Sequence, residues 1–205
     1  MALERQTWAR VAGLMFLLVL VVDLTGLAVT RPVLSRTLML SGSILTVPLA
    51  LGLYFTLKVF RPITSAFALT CRLIEALVGI LATLVGFDRV ATAFSNAAFG
   101  KPLLQFLEWN RATNFGAFIF TIGSTLFFLL FVRSRSIPRA LAWLGLAASL
   151  AAFTACCMHL MRPHFPAMNA VGWGLMLLAE VSTGGWLLFF PLRQDTSRPE
   201  FGSSS

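Results

Sequence analysis

Charged side chains are scarce in this chain of 205 residues: only 12% are Asp, Glu, Lys or Arg, and there are two His and one Tyr. A soluble domain carries about 25% charged residues. Because 58% of the residues are hydrophobic, this scarcity excludes an ordinary water-soluble domain. The composition predicts an integral membrane protein with membrane lipid as its main partner.

The sequence also lacks the residue sets of several kinds of site. Its three cysteines, Cys71, Cys156 and Cys157, give no even-numbered disulfide framework, so we expect free thiols. It has no Gly-rich phosphate loop, no Gly-x-Ser-x-Gly and no His-Glu-x-x-His motif. Both histidines lie near one end of one apolar run, so dispersed His and Asp ligands for a catalytic zinc cannot be assembled. Enzyme is therefore the weaker functional class, and we expect no cofactor.

The net charge of +8 does not indicate a nucleic-acid partner. The basic residues fall mostly between apolar runs, where anionic lipid headgroups are the nearest counter-charge. Nine of them lie on the side of the membrane that would hold both termini, six lie on the other side, and Arg72 lies inside a run. Because basic residues favour the cytoplasmic side, we expect both termini to be cytoplasmic.

Long apolar runs are what the sequence has in abundance. A helix needs about 20 apolar residues to cross about 30 Å of hydrocarbon. Six segments reach that length, at about 11–30, 38–57, 63–87, 112–132, 137–160 and 170–190. None shows the period-two alternation of a barrel strand. The predicted fold is therefore all-α, a polytopic membrane bundle of six transmembrane helices.

The longest connector, residues 88–111, joins the third and fourth spans and is interrupted by Pro102. Neither half can cross the membrane, so we expect a short interfacial helical connector with Trp109 at headgroup depth. Residues 1–199 are expected to form a single transmembrane domain. The sequence of residues 200–205 is typical of a cloning remnant followed by a tag linker.

Four charged residues fall inside the predicted spans: Asp23, Arg72, Glu75 and Glu180. A lone charge at the bilayer centre costs at least about 2.5 to 3.5 kcal/mol, so these side chains should face inward and find partners. Arg72 and Glu75 are three residues apart and share a helix face. We predict a polar intramembrane centre in which Arg72 bridges Glu75 and Glu180, with Asp23 nearer the outer side.

One guanidinium cannot neutralise three carboxylates, so at least one acid of this centre is expected to be protonated or to reach water. Such an acid could bind a small solute or a cation, or pass a proton through the cavity. Asn114, Thr121, Trp173 and Met176 are the residues that we expect to line this cavity. Two alternatives stay open: a membrane enzyme or lipid-binding protein acting on a lipid or isoprenoid in the same cavity, and a structural or accessory subunit.

A cluster of soft ligands lies near the end of the fifth run, formed by Cys156, Cys157, His159, Met161 and His164. Thiolate, thioether and imidazole groups suit copper(I) and, less well, zinc. The spacing matches no established metal site, and Met and Cys are also ordinary filler of membrane helices. A helix end with interfacial histidines is the favoured interpretation, with copper or zinc as the alternative.

Small residues in the last run would let another helix approach closely. They are Gly172, Gly174, Gly184 and Gly185. Glycines let helix backbones pack tightly in lipid, so a homo-oligomer is compatible with this sequence.

Four blocks spread along the chain carry a resemblance to a known family. They are Arg10-Val-Ala-Gly13, residues 54–76 with Arg72-Leu-Ile-Glu75, Ile137-Pro-Arg139, and Leu178-Ala-Glu180 followed by Trp186-Leu-Leu. Together they resemble the uncharacterised bacterial membrane family called domain of unknown function 4386. The resemblance implies a multi-helix protein of the bacterial cytoplasmic (inner) membrane. It implies no reaction, substrate or cofactor.

Overall fold

The computed structural model describes residues 2–97, 99–161 and 166–192. They form eight α-helices and no strand: α1 (Ala2–Ala28), α2 (Pro32–Leu57), α3 (Pro62–Val85), α4 (Asp88–Asn96), α5 (Gly100–Thr113), α6 (Phe115–Ser134), α7 (Arg139–Met161) and α8 (Pro166–Phe189). All but α4 and α5 are long and apolar enough to span a membrane. This confirms the all-α bundle of six spans with a short helical connector. Residues 200–205 lie outside the described residues.

The helices reach beyond the apolar runs that predict them. The helix α1 begins at Ala2 rather than at residue 11, and α2 begins at Pro32 rather than at residue 38. Hydrophobicity marks only the part of a helix inside the hydrocarbon, whereas the backbone can stay helical beyond it. Proline suits the first turn of α2 and α3 because its missing N–H would have no partner there.

The six spans form a closed ring. The helix α1 packs against α2 and α8, and the ring continues from α2 to α3, α6, α7 and back to α8. Glycines permit the close approaches: a Cβ at Gly52 would lie 3.0 Å from the Cβ of Ala12, where α2 meets α1. A Cβ at Gly13 would lie 2.7 Å from the carbonyl oxygen of Gly184, where α1 meets α8. Van der Waals packing of this kind is a main source of helix association in lipid.

One end of the ring holds the N-terminus of α1 and the C-terminus of α8, and we call it the terminal end. Its interior is filled by large side chains that are at most 1% exposed: Leu57, Leu130, Phe131, Ile137 and Leu187. Packing at this density leaves little room for solvent. The terminal half of the bundle is therefore a closed hydrophobic core.

Arg5 ties three elements together at the terminal end. Its Nε donates to the carbonyl oxygen of Thr56 at 2.9 Å, and its Nη2 donates to Oγ of Ser136 at 2.6 Å. The guanidinium also lies over the ring of Phe60, 4.6 Å from its centroid. Since hydrogen bonds from charged donors are strong, this residue joins α1 to the end of α2 and to the α6–α7 turn.

The opposite end, which we call the connector end, carries α4 and α5. The helix α5 meets α6 at Asn114, whose φ of 55° lies in the left-handed region that Asn adopts more readily than most residues. The Oδ1 of Asn110 accepts a hydrogen bond from the amide of Gly116 at 2.8 Å, which caps the start of α6. Two asparagines therefore fix the corner between the connector and the fourth span.

The four glycines that predict an oligomer contact serve different purposes. Gly172 packs inside the bundle, where a Cβ would lie 3.2 Å from the Cα of Ala152 in α7, and Gly184 packs against α1. Gly174 and Gly185 have no atom within 4 Å of the place of a Cβ. Two of the four are thus used within the chain, and a homo-oligomer stays a prediction.

We predict that Gly13→Ala destabilises the bundle, because its Cβ would lie 2.6 Å from the amide nitrogen of Leu188 and 2.7 Å from the carbonyl oxygen of Gly184. These are backbone atoms, so α1 and α8 must separate, and overpacking costs roughly 1 to 3 kcal/mol. Thermal unfolding of the purified protein in detergent measures the effect. Gly185→Ala is the matched control on α8, and equal unfolding midpoints for the two variants would contradict the prediction.

Candidate functional site

A cavity of about 640 Å³ lies at the connector end of the ring, between α1, α2, α3, α6 and α8. All four charged residues of the predicted polar centre line it: Asp23, Arg72, Glu75 and Glu180. These residues come from three different helices, so the ring brings them together around one space. Whether they act as a functional site stays a prediction.

Most of the cavity wall is apolar. Among the apolar residues of the wall are Leu20, Leu24, Leu27, Leu49, Val78 and Leu177. Ligand pockets of this size are commonly apolar with a few placed polar groups that fix the ligand's orientation. The cavity therefore combines a hydrophobic surface with a concentrated set of charges.

Arg72 is held firmly at the centre of the site. Its Nη1 lies 3.0 Å from Oε2 of Glu75, one turn further along α3. Its guanidinium carbon lies 4.5 Å from the ring centroid of Phe120 in α6, a cation–π geometry. The residue is 3% exposed. Gly123 of α6 makes room for its stem, because a Cβ there would lie 3.2 Å from Cγ of Arg72.

The predicted bridge from Arg72 to Glu180 is wrong. Within the described ranges, no Lys or Arg nitrogen lies within 4.0 Å of a carboxylate oxygen of Glu180 or Asp23. The guanidinium contacts Glu75, one turn away on the same helix, and the ring of Phe120 instead. Glu180 nevertheless lies within electrostatic range of Arg72 and of the other two acids. The site therefore holds one direct ion pair and two further carboxylates.

Asp23 is positioned by the contact between α1 and α2. Its carboxylate occupies the space that a side chain at Gly42 would need, so the glycine is what admits it. The neighbouring Ser43 and Thr46 also line the cavity, and their hydroxyls donate to carbonyls of α2 at 3.1 Å each. The small residues Ser41, Gly42 and Ser43 are the sequence signal for this close contact.

The predicted lining residues are partly in place. Asn114, Trp173 and Met176 line the cavity. Thr121 is fully buried and is not among its lining residues, and its hydroxyl donates to the carbonyl of Phe118 at 2.7 Å. A helix face read from sequence does not show how the helix is rotated in the bundle, which is why Thr121 was misplaced.

Phe120 and Asn110 are two of the site residues that sequence reasoning missed. Phe120 covers the guanidinium of Arg72, yet it is one of 19 phenylalanines and carries no distinguishing signal. Asn110 lines the cavity from the connector, outside every predicted span. Its position depends on how α5 folds back toward α6, which the local sequence does not specify.

The described residues of the soft-ligand cluster lie outside the lining of the cavity. Cys156 is buried and Cys157 and His159 are half-buried on α7, and none of them lines the cavity. His164 and the side chain of Met161 fall outside the described residues. In the described part of the chain, no three His, Cys, Asp or Glu residues are grouped to hold a metal ion. Copper or zinc binding stays an untested prediction.

A second cavity of about 470 Å³ lies beside the first, between the ends of α2 and α3 and the connector helix α5. It is lined by Arg36, Glu108 and Arg111, and it shares Asn110 and Asn114 with the first cavity. Nη1 of Arg36 donates to the carbonyl of Gly86 in this wall. The connector end therefore holds a second cavity with charged residues beside the acid-lined one.

The fold and the site together define a polytopic helical membrane protein with an acid-lined cavity between its spans. The family model described as domain of unknown function (DUF4386) matches residues 30–190 of this chain. The chain belongs to this family, which confirms the predicted resemblance, and three of the four sequence blocks lie within the matched range. No curated protein and no solved structure matches it.

We predict that Arg72→Met lowers the free energy of unfolding by about 3 kcal/mol or more, because removing one partner of a buried ion pair leaves the other charge uncompensated. Adding Glu75→Gln should recover part of that loss, since one of the carboxylates is then removed. Denaturant titration of the parent, both single variants and the double variant in mixed micelles measures the coupling. Additive losses would show that the two side chains act independently.

Proposed function

We propose that this protein binds a small, positively charged solute in the acid-lined cavity. The supporting observation is that, among the residues that the structure describes, Asp23, Glu75 and Glu180 share the cavity with one guanidinium, and that Glu75 is the acid paired with it. Three negative groups and one positive group leave an excess of two negative charges when all are ionised. Uncompensated charge inside a membrane is costly, so a cation bound beside Glu180 and Asp23 would be stabilised strongly.

The dimensions and walls of the site support a small organic cation. A volume of about 640 Å³ falls within the range of roughly 300 to 1,000 Å³ found for small-molecule pockets. Trp173 lines the cavity on the same helix as Glu180, and an aromatic ring can also interact with an ammonium group. Carboxylates and an indole together form a suitable environment for an alkylated amine.

Binding is better supported than passage. The terminal half of the ring is a packed core around Phe131 and Leu187, so a solute or proton could cross only if this core opened. The same acids would serve such transport in a second conformation. The apolar walls favour lipid binding as a second candidate, while a purely structural role is the outcome expected if no ligand binds.

We place the protein in the bacterial cytoplasmic membrane with both termini in the cytoplasm. Six spans put the two termini on one side, and the larger number of basic residues lies on that side. The cavity then belongs to the outer half of the membrane.

We predict that a C-terminal fusion to a fluorescent protein that matures only in the cytoplasm is fluorescent. A C-terminal fusion to alkaline phosphatase should be inactive, because the phosphatase needs an oxidising compartment. The control is the same pair of reporters fused after Thr113, at the end of α5, where the result should reverse. Phosphatase activity at the C-terminus would show that the orientation is inverted.

We predict that the protein in lipid nanodiscs binds tetramethylammonium, and that Glu180→Gln weakens this binding at least about ten-fold, a change of about 1.4 kcal/mol. The reason is that the variant keeps the shape of the side chain and removes its charge. Isothermal titration calorimetry gives the dissociation constants. Glu4→Gln is the control, since Glu4 is exposed and does not line the cavity.

Two results would refute the proposal. The parent could show no saturable binding of tetramethylammonium, or Glu180→Gln and Asp23→Asn could both bind it as the parent does. In either case the acids serve the packing of the helices and not a cationic ligand.

A further inference from the structure

The helices α1 and α8 close the ring, and the space beside their glycines differs between the terminal end and the cavity. Toward the terminal end they touch, and a Cβ at Gly184 would lie 2.9 Å from the Cβ of Phe16. Closer to the connector end, Gly174 has no atom within 4 Å of the place of a Cβ, although it lines the cavity. The cavity wall is therefore open at Gly174.

The exposed part of the cavity wall is formed by α1 and α8. Of the described lining residues, Leu24, Leu27 and Gly174 are the exposed ones, and they belong to α1 and α8. Leu24 is 48% exposed and Leu27 is 71% exposed. All three lie within spans and are apolar, so this opening faces hydrocarbon rather than water.

The acids lie directly behind this apolar opening. Asp23 is adjacent to Leu24 on α1, and Glu180 lies on α8 with Leu177 between it and Gly174 at helical spacings of three. A ligand in this passage would contact leucines along its length and carboxylates at its inner end. That order of surfaces matches a molecule with an apolar chain and a cationic head.

We propose that the ligand of this cavity is a lipophilic cation of the alkylammonium class, which reaches Asp23 and Glu180 sideways from the membrane between α1 and α8. The inference rests on the proposed cation binding and adds the ligand's chain and its route. Anionic lipids are disfavoured, because their headgroups would meet the excess of carboxylates. A neutral isoprenoid would leave those carboxylates without a counter-charge.

The test compares two ligands that share a head and differ in the chain, dodecyltrimethylammonium and tetramethylammonium. Both are titrated below micellar concentration into protein in nanodiscs, with empty nanodiscs subtracted. Since the bilayer concentrates the longer ligand and the passage holds its chain, its apparent dissociation constant should be lower by at least about ten-fold. Dodecanoate, with a similar chain and a negative head, should show no saturable binding.

Gly174→Leu tests the route, because a leucine there would fill the opening between the two helices. It should weaken the binding of dodecyltrimethylammonium at least about ten-fold more than it weakens the binding of tetramethylammonium. Gly185→Leu is the matched control: it adds the same side chain to the same helix, where a Cβ also meets nothing within 4 Å, but outside the cavity lining. It should leave both constants unchanged, and equal unfolding midpoints establish that both variants fold.

The outcomes separate the two proposals. If tetramethylammonium binds through Glu180, but the longer chain brings no gain or the two leucine variants behave alike, lateral access is refuted and cation binding stands. If neither cation binds saturably, both proposals fail. If dodecanoate binds as tightly as dodecyltrimethylammonium, the cavity selects the chain and not the charge, which also refutes both.

Discussion

The cost of an ionised side chain in hydrocarbon is the constraint on which this structure depends. For Arg72, this cost is offset by an ion pair with Glu75 on its own helix and by contact with the ring of Phe120 on the facing helix. For Asp23 and Glu180, the cost is reduced because both side chains line the same cavity. The four charged residues of the predicted polar centre are thereby collected around one cavity, and most of the wall around them is apolar.

The terminal half of the ring is packed and the connector half holds a cavity, because large and small side chains are distributed unevenly along the helices. In α6, Phe127, Phe128 and Phe131 point into the terminal half and are at most 3% exposed. The connector half of the same helix has Gly116 and Ala117 at the cavity wall. Bulky residues close one end and small residues leave space at the other, so the same helix forms both the core and the cavity.

The sequence was sufficient for the number of spans and for the membership of the charged centre. Lipid imposes a length and a polarity that can be read locally, residue by residue, so α1 to α8 could be anticipated apart from their ends. It was insufficient for contacts between helices. The rotation and crossing of helices cannot be read from local sequence. For this reason the bridge from Arg72 to Glu180 and the lining role of Thr121 were predicted wrongly. Asn110 and Phe120 were missed for the same reason.

The sequence by itself therefore determined that six apolar helices would cross a membrane and that three acids and one arginine would turn away from lipid, because these follow from local hydrophobicity and periodicity. Only the tertiary structure decided that the arginine pairs with Glu75 and not also with Glu180, and that the exposed residues of the cavity wall lie on α1 and α8. Those features are set by distances between side chains on separate helices, which depend on how closely each glycine lets its neighbour approach.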